Sequence, residues 1–426
     1  MIIGIRREDK NQWEGRVPLI PSDIAELKNQ HNINFAVQPS KIRAFQNEEF
    51  IQAGAEVRED ISDCSLVIAV KEIPVDFFLS NKKYMFFSHT IKGQKENLPI
   101  LKRILEKKAT LIDYEKIVDN NNKRLVFFGK YAGIAGMIDS FHGYGKKLKS
   151  EGVFTPFEKI KYSTDYKDLN EAKQLFLEVG EEIRQVKLTF PVIIGITGYG
   201  NVSRGAQEII DLLPVEEISP EKLLTIEKNT LSLDRVYKVI FKEKDIVTPI
   251  KGDFELNDYY QHPGNYISSF SRYLSKLNLL INGIYWDNRY PKLLTCDFVK
   301  NNYDLISDLK IIGDISCDVN GGIECTQKNT NSGNPFFVYN PDTGKIQDGL
   351  DGKGPAVLAV DNLPGEIARD SSTFFSNILK KFIPHLKNGN MEQDFDNIQV
   401  PTELKKAVII FNGQFTPDFK YLEQYL

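Results

Sequence analysis

Short apolar runs rich in β-branched and aromatic residues alternate along the chain with longer stretches whose apolar positions recur at helical spacing. In the first 120 residues the runs are MIIGI (1–5), INFAVQP (33–39), SLVIAVKE (65–72) and YMFFS (84–88), separated by segments such as PSDIAELKNQH. This alternation predicts an α/β fold. Pro21, Ser22 and Asp23 open the first helical segment, whose Ile24 and Leu27 share a face; Ser and Asp favour a helix N-terminus.

The polar run DNNNKR (119–124) reads as an exposed hairpin tip. The following stretch, 129–148, is helical, and Gly129, Ala132, Gly133, Ala135 and Gly136 would let it approach another backbone closely, as a connector between domains does. A boundary near residue 130 follows. From 189 to 213 an apolar run, a glycine turn and a helical pattern with Ile209, Ile210, Leu212 and Leu213 succeed one another. VYKVIFK (236–242), LLINGIYW (279–286), LKIIGDIS (309–316) and AVLAVDN (356–362) continue this second α/β domain as strands. The segment 364–386, with Ile367, Phe374, Phe375, Ile378, Leu379 and Phe382, predicts one long helix returning to the first domain. The expected organisation is one domain of 1–130 plus 366–426 and a second of 131–365.

Composition narrows the function classes. At 426 residues, 41% hydrophobic and 26% charged, the chain has length for two or three domains and a sizeable core. Its 54 Lys and Arg against 58 Asp and Glu leave a net charge of −4, which supplies no overall attraction to nucleic acid or acidic membranes. Cys64, Cys296, Cys317 and Cys325 lie far apart without CxxC spacing, as expected of a reducing cytoplasm. No apolar run approaches a membrane span or a signal-peptide core. The five histidines form neither HxxxH nor HExxH, so no metal site is expected, and neither a GxSxG elbow nor a Walker loop occurs.

Two features carry candidate chemistry. The turn Thr197-Gly198-Tyr199-Gly200-Asn201-Val202-Ser203-Arg204-Gly205 departs from GxGxxG, because Ser203 occupies the third glycine position. Its place between strand and helix nonetheless suits a dinucleotide diphosphate, which needs close backbone approach and exposed amides; an ordinary packing turn is the alternative. Ser219, about 20 residues on, falls where a ribose-binding carboxylate is common. A hydroxyl there, with Arg204 nearby, favours NADP; Glu217 and Glu221 keep NAD open. Lys71 and His89 each close a predicted strand, where α/β folds collect ligands, and an amine with an imidazole suits acid/base work. Both could equally be surface residues.

Taken in order, RREDKNQWEGRVPLIP (6–21), VKEIP (70–74), FFSHTIKGQKEN (86–97), LIDYEKIVD (111–119), TGYGNVSRGAQ (197–207), LINGIYWDNRYPKLLT (280–295), GDISCDVNGGIE (313–324) and VDNLP (360–364) resemble the lysine-ketoglutarate reductase domain of the bifunctional aminoadipic semialdehyde synthases. The wider superfamily contains lysine-forming saccharopine dehydrogenase, alanine dehydrogenase and a transhydrogenase subunit. The resemblance implies two Rossmann-like domains with a cleft between them, the second inserted in the first. It implies condensation of L-lysine with 2-oxoglutarate and reduction by NADPH to saccharopine, or the reverse, with Lys71 and His89 as the acid/base pair. Arg16, Lys92 and Arg124 would hold substrate carboxylates beside Gln94, and Glu72 and Glu115 would influence the lysine. Gly198, Gly200, Asn201 and Arg204 would hold the cofactor, Ser219 the adenine ribose, and Tyr285, Asp314, Ser316, Asp361 and Asn362 the nicotinamide side. No second enzyme follows in the sequence, which implies a stand-alone reductase, and Gly15 replaces an arginine frequent in close relatives. An NAD-dependent saccharopine dehydrogenase, an alanine dehydrogenase-like enzyme and a non-catalytic dinucleotide-binding regulatory module remain as alternatives.

Overall fold

A computed structural model describes residues 1–387, 391 and 394–426. They form two compact units, Met1–Phe128 with Ala368–Leu426, and Gly129–Ile367.

The first unit is built on an eight-stranded sheet in the order Gln414–Phe415, Val408–Phe411, Thr110–Asp113, Lys83–Phe86, Leu66–Ile68, Ile2–Ile5, Asn34–Val37, Glu56–Val57. Its strands are nearly uninterrupted apolar runs because helices and loops cover both faces of a parallel sheet; Ile3, Ile5, Leu66, Ile68, Met85 and Ile112 are fully buried. Six strands run parallel. The last two in sequence are antiparallel, with Val408–Phe411 pairing against Thr110–Asp113 through a register shift. Val408–Phe411 is thus a strand although its local pattern alone does not mark it.

The helix Pro21–His31 forms as its pattern predicts, but its start is held differently. Its N-cap is Ile20, without a side-chain cap. Asp23 is buried, accepts from the Ser376 hydroxyl at 2.5 Å and pairs with Lys380 at 2.9 Å. Ser372 and Ser376 in turn accept from the amides of Val17 and Ile20. Asp23, expected to favour the helix start, therefore faces a partner from the far end of the chain. That partner is not one long helix: Leu363–Glu366 breaks at Ile367 before Ala368–Leu379 begins, and Ile383–Leu386 is a separate 3₁₀ turn. The break coincides with the unit boundary, where the chain must change direction.

The second unit contains an eight-stranded sheet ordered Ile346–Asp348, Phe336–Tyr339, Ala356–Leu358, Ile311–Asp314, Leu279–Asn282, Val192–Thr197, Val236–Phe241, Val215–Glu217. The six strands from Ala356–Leu358 onward are parallel, while Phe336–Tyr339 and Ile346–Asp348 are antiparallel. The helix Gly129–Ser150 crosses Asn201–Ile210 inside this unit. The contact is made by glycines: a Cβ on Gly133 would lie 1.9 Å from the Val202 carbonyl oxygen, and one on Gly205 equally close to that of Lys130. The small residues of 129–148 thus bring this helix against the helix that follows the glycine turn.

Substituting Gly205→Val should therefore lower stability by at least about 2 kcal/mol, since backbone has to move to admit the side chain. Gly200→Ala, whose Cβ meets nothing within 4 Å, is the control, with both compared by urea denaturation.

Candidate active site

In the first unit, Ile2–Ile5 lies between Asn34–Val37 and Leu66–Ile68, and chain order departs in opposite directions on its two sides. Such a switch point opens a crevice at the carboxyl ends of the strands. Glu8 spans it, accepting from the amide of Val70 at 2.6 Å and from that of Lys71 at 3.0 Å. Lys10 reaches both oxygens of Glu72 at 2.9 Å, and the same carboxylate lies 2.7 Å from Nδ1 of His89. Lys71 and His89 follow adjacent parallel strands, Leu66–Ile68 and Lys83–Phe86, and Glu72 joins their ends. His89 adopts φ +49°, an uncommon backbone for a residue with a Cβ.

The other expected side chains divide. Arg16 is 3% exposed, with its guanidinium 4.3 Å above the Phe128 ring and its Nε and one terminal nitrogen on Glu14, at 2.7 and 2.5 Å. Arg124 is exposed and pairs with Glu115 at 3.0 Å. The carboxylates that bear electrostatically on Lys71 are Glu14 and Glu72, whereas Glu115 serves Arg124. Lys92 is exposed, and Gln94 accepts its amide at 3.1 Å. Glu8, Lys10 and Glu14 escaped the sequence reading; the available signal was a run of charged residues directly after a buried strand. At Gly15, a Cβ would meet the Ile42 carbonyl oxygen at 2.9 Å, so any larger residue there would force the backbone to shift.

In the second unit the glycine turn occupies the equivalent switch point, between Val236–Phe241 and Leu279–Asn282. Gly198 has φ +85°, which a side chain would disfavour. A cavity of about 300 Å³ opens beside it, lined among others by Gly198, Gly200, Phe241, Glu243, Gly283 and Tyr285. Open space over Gly200 and a helix starting at Asn201 fit a diphosphate. Arg204 is exposed on that helix. Asp314 is not on the surface: it accepts from Asn282 at 2.9 Å, Thr326 at 2.6 Å and the Cys317 amide at 3.3 Å. Asn282 in turn accepts from Thr197 at 2.9 Å, so a buried polar ladder levels three strand ends. Ser316 donates to the Ile284 carbonyl, Asn362 is buried at a helix start and Asp361 is exposed. Ser219 lies beyond the sheet's outer strand and is outside this group, its hydroxyl accepting from the Lys222 amide at 3.1 Å.

Two family models match this chain. That for the alanine dehydrogenase/PNT N-terminal domain covers residues 4–135 and that for the C-terminal domain residues 267–418. The chain belongs to the alanine dehydrogenase/PNT family. An α-aminoadipic semialdehyde synthase from Arabidopsis thaliana is 38% identical over 99% of the chain and 41% of its own length. This family member thus spans less than half of that relative. A lysine-forming, NAD(+) saccharopine dehydrogenase from Yarrowia lipolytica is 25% identical, covering 88% of this chain and 89% of its own. A solved L-alanine dehydrogenase superimposes over 100% of the chain and 99% of its own with a TM-score of 0.63 at 18% identity, which establishes the shared fold.

The electrostatics of this alanine dehydrogenase/PNT-family site follow from burial and pairing. Burial works against ionisation of Glu72, but hydrogen bonds from His89 and Lys10 outweigh it and bring the carboxyl down to about 2. An ionised carboxylate only accepts, so Nδ1 of His89 carries a proton and Nε2 is left for exchange. Burial first and Arg16 second lower the proton affinity of Lys71, against Glu14 and Glu72, which raise it. Its ammonium has no hydrogen-bond partner among the described residues. Burial, then Glu14, push Glu8 up to about 7, although the Val70 and Lys71 amides pull the other way.

A carboxyl whose folded pKa is raised binds a proton that the unfolded chain has released, so stability falls as pH rises from 4.5 to about 7. Glu8→Gln cannot ionise and abolishes this slope, though it should cost about 1–3 kcal/mol for the amide left short of an acceptor. Urea midpoints measured between about pH 4.5 and 8 should show the wild type losing its advantage over Glu8→Gln as pH increases; parallel profiles would remove Glu8 as a titrating group.

Proposed function

We propose that this chain condenses the side-chain amine of L-lysine with 2-oxoglutarate and, with a reduced nicotinamide dinucleotide, yields saccharopine, or runs the reverse. The observation that carries this reading is that Lys71 and His89 follow adjacent parallel strands, with Glu72, next to Lys71 in the chain, holding the His89 ring. Likeness over the whole chain to α-aminoadipic semialdehyde synthase and to lysine-forming saccharopine dehydrogenase supports it.

Each step moves a proton. Lys71, with its lowered affinity, takes the proton that the attacking amine must shed. His89, oriented by Glu72, delivers one from Nε2 to the carbinolamine hydroxyl, which leaves as water and gives the imine. 2-Oxoglutarate brings two carboxylates and lysine one, and unpaired carboxylates in a closed site would be costly. Arg124 and Lys92 offer exposed cations, Arg124 in fork geometry once it exchanges Glu115 for substrate. Arg16, bound to Glu14, is buried and, after burial itself, is the main influence lowering the proton affinity of Lys71. Gly198, Gly200 and Asn201 would hold the dinucleotide, whose reduced nicotinamide supplies a hydride to the imine carbon. NADPH, which the sequence favours, and NADH serve that chemistry equally; discrimination between them lies at the adenosine ribose. The free cysteines suit a reducing, cytoplasmic setting. Among the described residues no helix is long and apolar enough to cross a membrane, and no cluster of metal ligands occurs.

Coenzyme oxidation should require lysine and 2-oxoglutarate together and cease when either is omitted. Turnover of pyruvate with ammonia instead would assign the chain to alanine dehydrogenase chemistry, and turnover of neither pair would favour a non-catalytic dinucleotide-binding module. Lys71→Met should lower turnover at least about tenfold while coenzyme binding persists; unchanged turnover would take Lys71 out of the mechanism.

A further inference from the structure

The parallel strands of the second unit do not follow chain order. After the glycine-turn strand Val192–Thr197 and its helix, the next strand, Val215–Glu217, goes to the edge of the sheet. The one after it, Val236–Phe241, inserts between them, with Thr197 level with Phe241. The carboxylate that reads a dinucleotide's adenosine ribose belongs to the end of the strand beside the glycine-turn strand. That rule is spatial, because strands stand about 4.8 Å apart and a ribose seated at the turn reaches across one, not two. In this chain the position follows Phe241.

Three observations place it there. The Gly198 amide donates to the Phe241 carbonyl at 2.9 Å, so the peptide leading into Lys242 abuts the glycine turn. Glu243 lines the cavity that Gly198, Gly200 and Gly283 also line. One oxygen of Glu243 accepts from the Tyr260 hydroxyl at 2.6 Å, and the other has no protein partner among the described residues. The neighbouring charges are the Lys242 ammonium, 5.9 Å from the centre of the Tyr199 ring, and Lys244, which faces Glu221 at 3.8 Å. Ser219, one strand farther out, is occupied in capping its own helix.

We propose that Glu243 is the specificity-determining residue of the dinucleotide site, its carboxylate accepting from the ribose hydroxyls and repelling a 2′-phosphate. The proposal rests on the dinucleotide reading of this unit and is independent of which amino acid or oxo acid reacts. Tyr260 holds the carboxylate in place by donating to it.

The test is direct titration of NADH and of NADPH into the full chain, followed by calorimetry, with no substrate present. Glu243→Gln should raise the affinity ratio of NADPH to NADH at least about tenfold, the scale of one charge-assisted hydrogen bond, whichever coenzyme the wild type prefers. Glu243→Asp should preserve most of the discrimination, and Ser219→Ala should leave the ratio unchanged. Wild-type binding with a ratio unmoved by Glu243→Gln, or moved by Ser219→Ala, overturns the assignment of Glu243 alone. A wild type that binds neither coenzyme overturns the dinucleotide reading together with it.

Discussion

A strand that ends at a sheet's switch point leaves backbone amides without partners, and in the first unit the Glu8 carboxylate satisfies two of them. By bonding Val70 and Lys71 it ties the loop after Ile2–Ile5 to the end of Leu66–Ile68. The rest of the charged network is arranged around that tie. Lys10, on the same loop, reaches Glu72; Glu72 orients His89; Glu14 and Arg16 set the field at the Lys71 amine. A buried carboxylate is tolerated there because its acceptors are used, and it takes up a proton more readily than usual because burial exceeds what the two amides return.

The second unit ties its strand ends together through side chains. Thr197, Asn282, Asp314 and Thr326 form a chain of hydrogen bonds across three strand ends, and burial pushes Asp314 up to about 6. At the glycine turn that follows Thr197 the space over Gly200 is open, whereas a side chain at Gly198 would press on Ile284. Glycine is needed at Gly198 for the turn, where φ is +85°, and again at Gly133 and Gly205 so that two helices can touch and aim the one beginning at Asn201. The glycines of this unit thus divide between exposing amides and packing the helix that presents them.

The buried Glu14–Arg16 pair shows why residue type alone is an incomplete guide to a binding group. An arginine beside a candidate lysine invites assignment to a substrate carboxylate. Here two of its nitrogens are on Glu14, and removing either partner of a pair this buried typically costs about 3–5 kcal/mol. Its effect at Lys71 is exerted through charge at short range, whereas Arg124 and Lys92 stand in solvent.

Local pattern was enough for much of the fold. The runs MIIGI, INFAVQP, YMFFS, VYKVIFK and LKIIGDIS all became strands, and the glycine turn stands between a strand and a helix, because burial on both faces demands continuous apolar sequence. It was also enough to put Lys71 and His89 just after strands. It did not reveal the break at Ile367, nor the strand Val408–Phe411 or the partners of Asp23, the last two depending on segments hundreds of residues away. Nor did it show that Glu8 bonds the Lys71 amide or that Glu14 bears on its amine. The order of strands across a sheet is likewise absent from chain order: counting residues from the glycine turn leads to Ser219, while the inserted strand Val236–Phe241 brings Glu243 to the turn. Periodicity records which residues must be buried, but neighbours across a sheet are chosen by packing among distant segments, and only folding expresses that choice.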